Sequence, residues 1–191
     1  MTTRQPLTPA DVLKFENVHD AQLSPDGTTI AFVRSKSYKA SGDSTHSSIW
    51  LCDTESGELR QLTGGPRTDA LPRWSPDGTL LAFLSNRLAE KQKQVFLIDL
   101  AGGEARAITS IRGTIPTPRG LNALQWSPSG KQLGFLLKDS LSEEKQKQRR
   151  EKDDAITFEQ DPRYVRVWTV GIDDQAVQCV SPEQLQIWEF T

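Results

Sequence analysis

Three serines of this chain occur in similar sequence contexts, and we consider them first as candidate nucleophiles. Ser24 and Ser75 begin Ser-Pro-Asp-Gly, and Ser127 begins Ser-Pro-Ser-Gly. A hydrolytic serine of the α/β type needs a base, an oxyanion hole and a Gly-x-Ser-x-Gly elbow, and no serine of the sequence stands in such an elbow. Ser-Pro-Asp-Gly instead favours a type I turn, in which proline presets φ and glycine leaves with positive φ. We therefore interpret these serines as turn residues.

The histidines and cysteines suggest no chemistry either. His19 and His46 have no serine and carboxylate in a catalytic arrangement, and Cys52 and Cys179 form no Cys-x-x-Cys pair and have no histidine at metal-ligand spacing. We expect both thiols to be buried or half-buried in strands. The sequence predicts no catalytic, cofactor-binding or metal-binding residue, and no cofactor.

The turns mark a repeat, because the three serines lie 51 and 52 residues apart. Strand-forming residues follow each turn, and a second apolar strand, polar turn and alternating strand follow at 49–63, 95–109 and 167–181. Two hairpins make a four-stranded antiparallel sheet, and radial stacking of such sheets makes a β-propeller. We predict an all-β, incomplete β-propeller of about three four-stranded blades, at about 21–66, 67–112 and 120–183, plus a short N-terminal helix.

The segments outside the repeat carry further expectations. Thr8 is the predicted N-cap of the helix, with Pro9 at its first position, and Val12, Leu13 and Phe15 are expected to pack its inner side. The insertion at 139–163 is dense in charges of both signs and is typical of a solvated loop, or else of a gate or docking surface. Residues 182–191 look like the lead-in to another copy. Closed propellers have about four to eight blades, so we expect the chain to be part of something longer.

The overall composition limits the kinds of partner that we expect the chain to bind. The net charge is −2, with 36% hydrophobic and 25% charged residues, so no basic face for nucleic acid is expected. The first residues lack the apolar core of a signal peptide, and the sequence has no apolar run of 18 residues. We expect no membrane association and a cytoplasmic location.

The chain resembles the N-terminal propeller of the prolyl oligopeptidase family of serine peptidases, above all its acylaminoacyl- and dipeptidyl-peptidase-like branch. The matching features are the Ser-Pro-Asp-Gly-x-x-(Ile/Leu)-Ala-Phe copies, Leu84-Ser85-Asn86-Arg87, Gln61-Leu62-Thr63, Asp153-Asp154-Ala155-Ile156 and Tyr164-Val165-Arg166-Val167-Trp168.

The resemblance implies that the propeller filters peptide access to an α/β-hydrolase domain carrying a Ser-Asp-His triad, a domain that this sequence lacks. Peptide substrates are thus expected to be handled through that missing domain. The family's propeller sometimes supplies a carboxylate or arginine that grips a peptide terminus. Glu159, Asp161 and Arg163 lie in a suitable insertion but match no such motif, so they receive no role.

Two alternatives stay open. The Ser-Pro-Asp-Gly blade is shared with TolB-type propellers, so a TolB- or WD40-like propeller could act as a protein-binding module without catalysis. Alternatively, open blade edges could lead to self-association, with two copies closing one ring of about six or seven blades.

The isolated polypeptide is predicted to have no peptidase activity, because its sequence lacks the nucleophile elbow and its partners. An assay with chromogenic aminoacyl substrates checks this, and turnover above a heat-inactivated sample would contradict it.

Overall fold

A computed structural model describes residues 7–37, 46–112, 115–116, 123–138, 164–183, 185–188 and 190. The charged insertion at 139–163, with Glu159, Asp161 and Arg163, lies outside them. One helix and twelve strands are described: α1 (Pro9–Val12), β1 (Glu16–Leu23), β2 (Thr29–Lys36), β3 (Ser47–Asp53), β4 (Leu59–Gln61), β5 (Asp69–Trp74), β6 (Leu80–Ala89), β7 (Gln92–Asp99), β8 (Arg106–Ala107), β9 (Leu124–Trp126), β10 (Gln132–Lys138), β11 (Val165–Gly171) and β12 (Val177–Cys179).

The strands form three four-stranded antiparallel sheets, each in simple chain order, which confirms the predicted fold class. We name them blade 1 (β1 to β4), blade 2 (β5 to β8) and blade 3 (β9 to β12). β1, β5 and β9 are the inner strands: β5 contacts both β1 and β9. β1 begins at Glu16, before the expected limit at 21, because Glu16 already pairs with Lys36.

The helix begins as predicted but packs differently. Thr8 and Asp11 form a capping box, in which the Asp11 amide donates to Thr8 Oγ1 at 3.3 Å. The expected inner side is wrong: α1 buries no residue, and Leu13 and Phe15 are exposed. A helix of four residues has too little surface to form an apolar face of its own. Among the described residues no helix has the length needed to cross a membrane.

Each predicted turn closes as expected. The amides of Gly27, Gly78 and Gly130 donate to the carbonyl three residues earlier at 2.9–3.0 Å, and all three glycines have φ between +69° and +77°. These are the turn bond and the left-handed conformation that the sequence predicts.

A second repeated bond closes the outer end of each blade. The Oγ atoms of Thr63, Thr109 and Ser181 accept hydrogen bonds from the third-strand amides of Ile49, Val95 and Val167 at 2.9–3.1 Å. In all three blades the hydroxyl lies 14 residues after the amide. The hydroxyl replaces a backbone acceptor where the short fourth strand ends, so no buried amide is left unpaired there.

Two apolar cores hold the blades together. One joins blade 1, through Ala31, Ile49 and Leu51, to Phe83 and Phe96 of blade 2, together with Leu81 and Ile98. The other joins blades 2 and 3. Burial of each large side chain contributes about 1.5–3 kcal/mol. The cores lie between sheets, so a single blade has no core of its own.

Indole hydrogen bonds set the register between blades. Trp74 Nε1 donates to the carbonyl of Gln22 at 2.9 Å, and Trp126 Nε1 donates to the carbonyl of Arg73, also at 2.9 Å. Each tryptophan directly precedes a turn serine, and each acceptor lies two residues before the serine of the preceding blade. The turns also touch: a Cβ on Gly78 would lie 3.6 Å from Pro25 Cδ. In blade 1, Leu23 occupies the position that tryptophan has in blades 2 and 3.

Candidate functional site on the inner strands

The turn serines are engaged in local structure and are not placed as nucleophiles. Ser75 Oγ donates to Asp77 Oδ1 at 2.6 Å and accepts from the Leu80 amide at 2.9 Å. Ser24 makes the same two bonds, to Asp26 and from the Thr29 amide, at 2.6 and 2.9 Å. Ser24 and Ser75 are buried. The interpretation of these serines as turn residues agrees with this geometry.

The histidines and cysteines lie apart. His19 is exposed on β1, and His46 is exposed just before β3. Cys52 in β3 and Cys179 in β12 are half-buried, free thiols in different blades, in line with the expected burial. Within the described ranges, no three His, Cys, Asp or Glu side chains are grouped so that they could hold a metal ion.

The inner strands instead carry a buried ion pair that joins blades 1 and 2. Arg73 Nη1 lies 3.0 Å from Asp20 Oδ1, with side chains 9% and 17% exposed. Arg73 Nη1 also donates to the Pro72 carbonyl at 2.7 Å. Removing one partner of such a buried pair costs about 3–5 kcal/mol, because the other charge stays buried and unpaired.

Backbone bulges aim these side chains. The pairing register of β1 with β2, and that of β5 with β6, shifts at a bulge. Each bulge contains a residue with left-handed φ, Asp20 (52°) in β1 and Leu71 (53°) in β5. Each of these residues lies four positions before its turn serine. A left-handed leucine is strained by roughly 1–3 kcal/mol, so the surrounding packing must hold it. Bulges of this kind re-aim side chains, and here one inner strand turns Asp20 toward the arginine of the next.

A second charged pair lies at the other end of β5. Arg87 Nη2 contacts Asp69 Oδ2 at 2.8 Å, and the Asp69 side chain is 1% exposed. The guanidinium also lies over the rings of Phe83 and Phe96, at 5.4 and 5.8 Å from their centroids. Ser85 pairs with Asp69 in register. Asp69 Oδ1, Ser85 Oγ and Arg87 Nε are buried atoms with no hydrogen-bond partner among the described residues.

Several polar atoms of these two charged pairs are buried in the interior of the blades. Asp20 Oδ2 is a further buried oxygen without a partner in the described chain. Buried polar atoms of this kind are normally satisfied by a partner or by water. The charged pairs therefore lie in the interior of blades 1 and 2, where the Asp20–Arg73 pair forms a rigid connection between neighbouring inner strands.

The sequence did not lead us to predict the roles of Asp20, Asp69 and Arg73. Arg87 was identified only as part of the motif Leu84-Ser85-Asn86-Arg87. The available signal was the presence of charged residues inside the inner strands of blades 1 and 2, where apolar residues are expected. The repeat could not predict that Asp20 pairs with Arg73, because the two residues occupy different positions within it.

A groove of about 700 Å³ lies between the turns of blades 1 and 2 and is mainly acidic. Asp26, Asp53, Glu58 and Asp77 line it, against one guanidinium from Arg60. Hydrogen bonds from Ser24 and Ser75 hold the pKa of Asp26 and Asp77 below its ordinary value, with further bonds from Thr28 and Thr79. These carboxylates are therefore ionised at neutral pH and are satisfied by their own turns.

Comparison with curated proteins relates the chain to peptidases. It is 36% identical over 153 residues to an uncharacterized peptidase, YuxL, of Bacillus subtilis strain 168, a match covering 80% of this chain and 22% of that protein. It is 30% identical over 132 residues to dipeptidyl-peptidase 5 of Porphyromonas gingivalis, covering 66% of this chain and 19% of the relative. The chain thus spans about a fifth of the length of these relatives. No protein-family model matches it.

Solved structures share the fold. The acylaminoacyl peptidase of Pyrococcus horikoshii matches with a TM-score of 0.66 and 18% identity, over 91% of this chain and 26% of that one. TolB from Acinetobacter baumannii matches with a TM-score of 0.59 and 18% identity, over 87% of this chain and 33% of that one. At such identities the likeness concerns architecture alone, and it does not separate peptidase propellers from TolB.

Replacing Ser75 by alanine is expected to lower the free energy of unfolding by about 1–3 kcal/mol, because the half-buried Leu80 amide loses its acceptor. Part of this loss should depend on pH. In the folded chain the pKa of Asp77 lies below its ordinary value, chiefly because Ser75 donates to it, so the stabilisation that this carboxylate contributes is complete above its unfolded pKa. That stabilisation disappears as the pH falls through the folded pKa.

Urea unfolding between pH 7 and pH 2 measures this effect. Ser127→Ala is the matched control, because its turn partner is the neutral Ser129. The difference in the free energy of unfolding between wild type and Ser75→Ala should shrink below about pH 4. The corresponding difference for Ser127→Ala should stay constant. Parallel pH profiles for the two variants would contradict the assigned Ser75–Asp77 bond.

Proposed function

Because the chain is an N-terminal propeller portion of the prolyl oligopeptidase family of peptidases, we propose that it gates peptide access to a hydrolase domain in a longer protein. The single observation that carries the proposal is the 36% identity to a peptidase over 153 residues. The hydrolase domain would supply the acyl-enzyme chemistry, and the propeller would select by size the peptides that reach it.

The geometry of the inner strands supports a gating role. A gate must keep its opening fixed while peptides of different size meet it. The Asp20–Arg73 pair and the two indole bonds join neighbouring inner strands by side chains that are buried or half-buried. Pairs of this kind resist separation, because opening them leaves charges and donors unpaired. The inner strands thus favour an opening of fixed width.

A chimera tests the proposal by supplying the catalytic part. The matching segment of Porphyromonas gingivalis dipeptidyl-peptidase 5 is replaced by this chain, and hydrolysis of a chromogenic dipeptidyl substrate is compared with cleavage of a long unstructured peptide. Arg73→Gln, which breaks the pair with Asp20, is the test variant. Arg106→Gln is the matched control, because Arg106 is exposed on the outermost strand β8.

The proposal predicts that Arg73→Gln raises kcat/KM for the long peptide by roughly tenfold, equivalent to about 1.4 kcal/mol. The value of kcat/KM for the short substrate should stay the same. Arg106→Gln should alter neither value. Equal effects on both substrates, or an unchanged ratio in a folded Arg73→Gln chimera, would show that the propeller is not a size filter.

A further inference from the structure

Three buried polar atoms lie together on one face of blade 2. They are Asp69 Oδ1, Ser85 Oγ and Arg87 Nε, and none has a hydrogen-bond partner among the described residues. The Asp69 side chain is 1% exposed and Ser85 is 0% exposed. A buried polar atom that lacks a partner carries the full cost of its removal from water. Three such atoms at one place therefore indicate a site that takes a partner of its own.

Strand pairing and the ion pair bring these atoms together. Asp69 and Ser85 are direct cross-strand partners, so their Cβ atoms lie about 4.5–5.5 Å apart on the same face. Arg87 lies two residues after Ser85 on that face, and its Nη2 contacts Asp69 Oδ2 at 2.8 Å. Nε belongs to the same guanidinium as Nη2, and Oδ1 belongs to the same carboxylate as Oδ2. The unpartnered atoms of the pair thus flank the bond that joins it.

The blade repeat does not require polar residues at these positions. Asp69 lies six residues before its turn serine, and Val18 has that place in blade 1. Ser85 lies ten residues after its turn serine, and Leu137, which is 7% exposed, has that place in blade 3. An apolar side chain therefore fits the fold at either position. The polar set of blade 2 serves something other than the formation of a blade.

The site lies at the junction between blades 1 and 2. The guanidinium of Arg87 lies over the rings of Phe83 and Phe96, which pack in the core shared with blade 1. Ser47 of blade 1 donates from its Oγ to the carbonyl of Asp69 at 2.7 Å. The three atoms are thus enclosed by apolar rings and by the contact between the blades.

Arg87 also extends from the site toward solvent. Its side chain is 26% exposed. With Thr63, Gly64 and Glu104, among other residues, it lines a cavity of about 280 Å³ between the same two blades. One guanidinium therefore borders both this cavity and the buried carboxylate, and water can enter along it.

The donors and acceptors of the site match a water molecule. Asp69 Oδ1 only accepts, Arg87 Nε only donates, and Ser85 Oγ does either. Water can donate to the carboxylate and accept from the guanidinium at once, with a third bond for the hydroxyl, and about three bonds are typical of buried water. A metal or ammonium ion cannot accept from Nε, and an anion cannot donate to Oδ1. The charges of Asp69 and Arg87 also cancel, so no ion is needed to balance them.

We propose that blade 2 holds a buried water molecule that bridges Asp69 Oδ1, Ser85 Oγ and Arg87 Nε. Nη2 bonds to Oδ2 directly, and the water completes the second half of the pair by joining Nε to Oδ1. Ser85 and Arg87 of the motif Leu84-Ser85-Asn86-Arg87 then have one shared task, which is to hold this water against the inner strand β5.

A crystal structure of this chain that shows ordered water tests the proposal. One water should lie within hydrogen-bond distance, about 2.5–3.2 Å, of all three atoms. A direct bond from Arg87 Nε to Asp69 Oδ1 with no water between them would overturn the proposal. So would density for an ion at this place, or the absence of density there.

Two variants of nearly equal shape test the site in solution. Ser85→Thr keeps the hydroxyl, whereas Ser85→Val replaces it with a methyl group. Both should fold, with an unchanged circular dichroism spectrum, because blade 3 has Leu137 at this place. The Nε proton of Arg87, assigned by its loss in Arg87→Lys, should show Overhauser contacts to water of opposite sign in the laboratory and rotating frames, as a long-lived bound water does.

The two variants should then differ in this water contact. Wild type and Ser85→Thr should keep the contact, and Ser85→Val should lose it. A wild-type chain without the contact would contradict the bridging water. Persistence of the contact in Ser85→Val, or its loss in both variants, would show that the Ser85 hydroxyl does not hold the water.

Discussion

The fold depends on a contact that each blade makes with the one before it. An indole N–H from the last residue of one inner strand donates to a carbonyl of the preceding inner strand, for Trp74 and again for Trp126. The bond joins equivalent positions of successive repeats, so it fixes how far one sheet is displaced from the next. The apolar cores between blades supply most of the stabilisation but are non-directional. The indole bonds supply the register in which Asp20 meets Arg73.

The Ser-Pro-Asp-Gly turn performs a local task that makes this contact possible. Its serine and aspartate bond to each other and to the first amides of the following strand, so the turn has one geometry in blades 1 and 2. Because the tryptophan or leucine directly precedes the serine, a fixed turn also fixes where that side chain leaves the blade. The serine is buried in this network, and its importance is architectural.

Much of the fold could be predicted from the sequence, because its determinants are local and repeated. Turn chemistry at Ser24 and Ser75, alternation along the strands and the constant spacing together indicate three four-stranded blades. The packing of Leu13 and Phe15 could not be predicted, since it depends on whether a neighbouring surface exists to cover them. The ion pairs were missed for a different reason. Asp20 faces Arg73 only because β1 bulges at a left-handed aspartate, and nothing in the residue types requires that conformation.

The exchange of the indole N–H protons tests the register of the blades most directly. The chain has five tryptophans, whose indole signals can be resolved in a ¹⁵N correlation spectrum and followed after transfer to D₂O. The N–H protons of Trp74 and Trp126 should exchange far more slowly than that of Trp188, which is 70% exposed. Exchange of Trp74 and Trp126 as fast as that of Trp188 would contradict the inter-blade bonds on which this account of the fold depends.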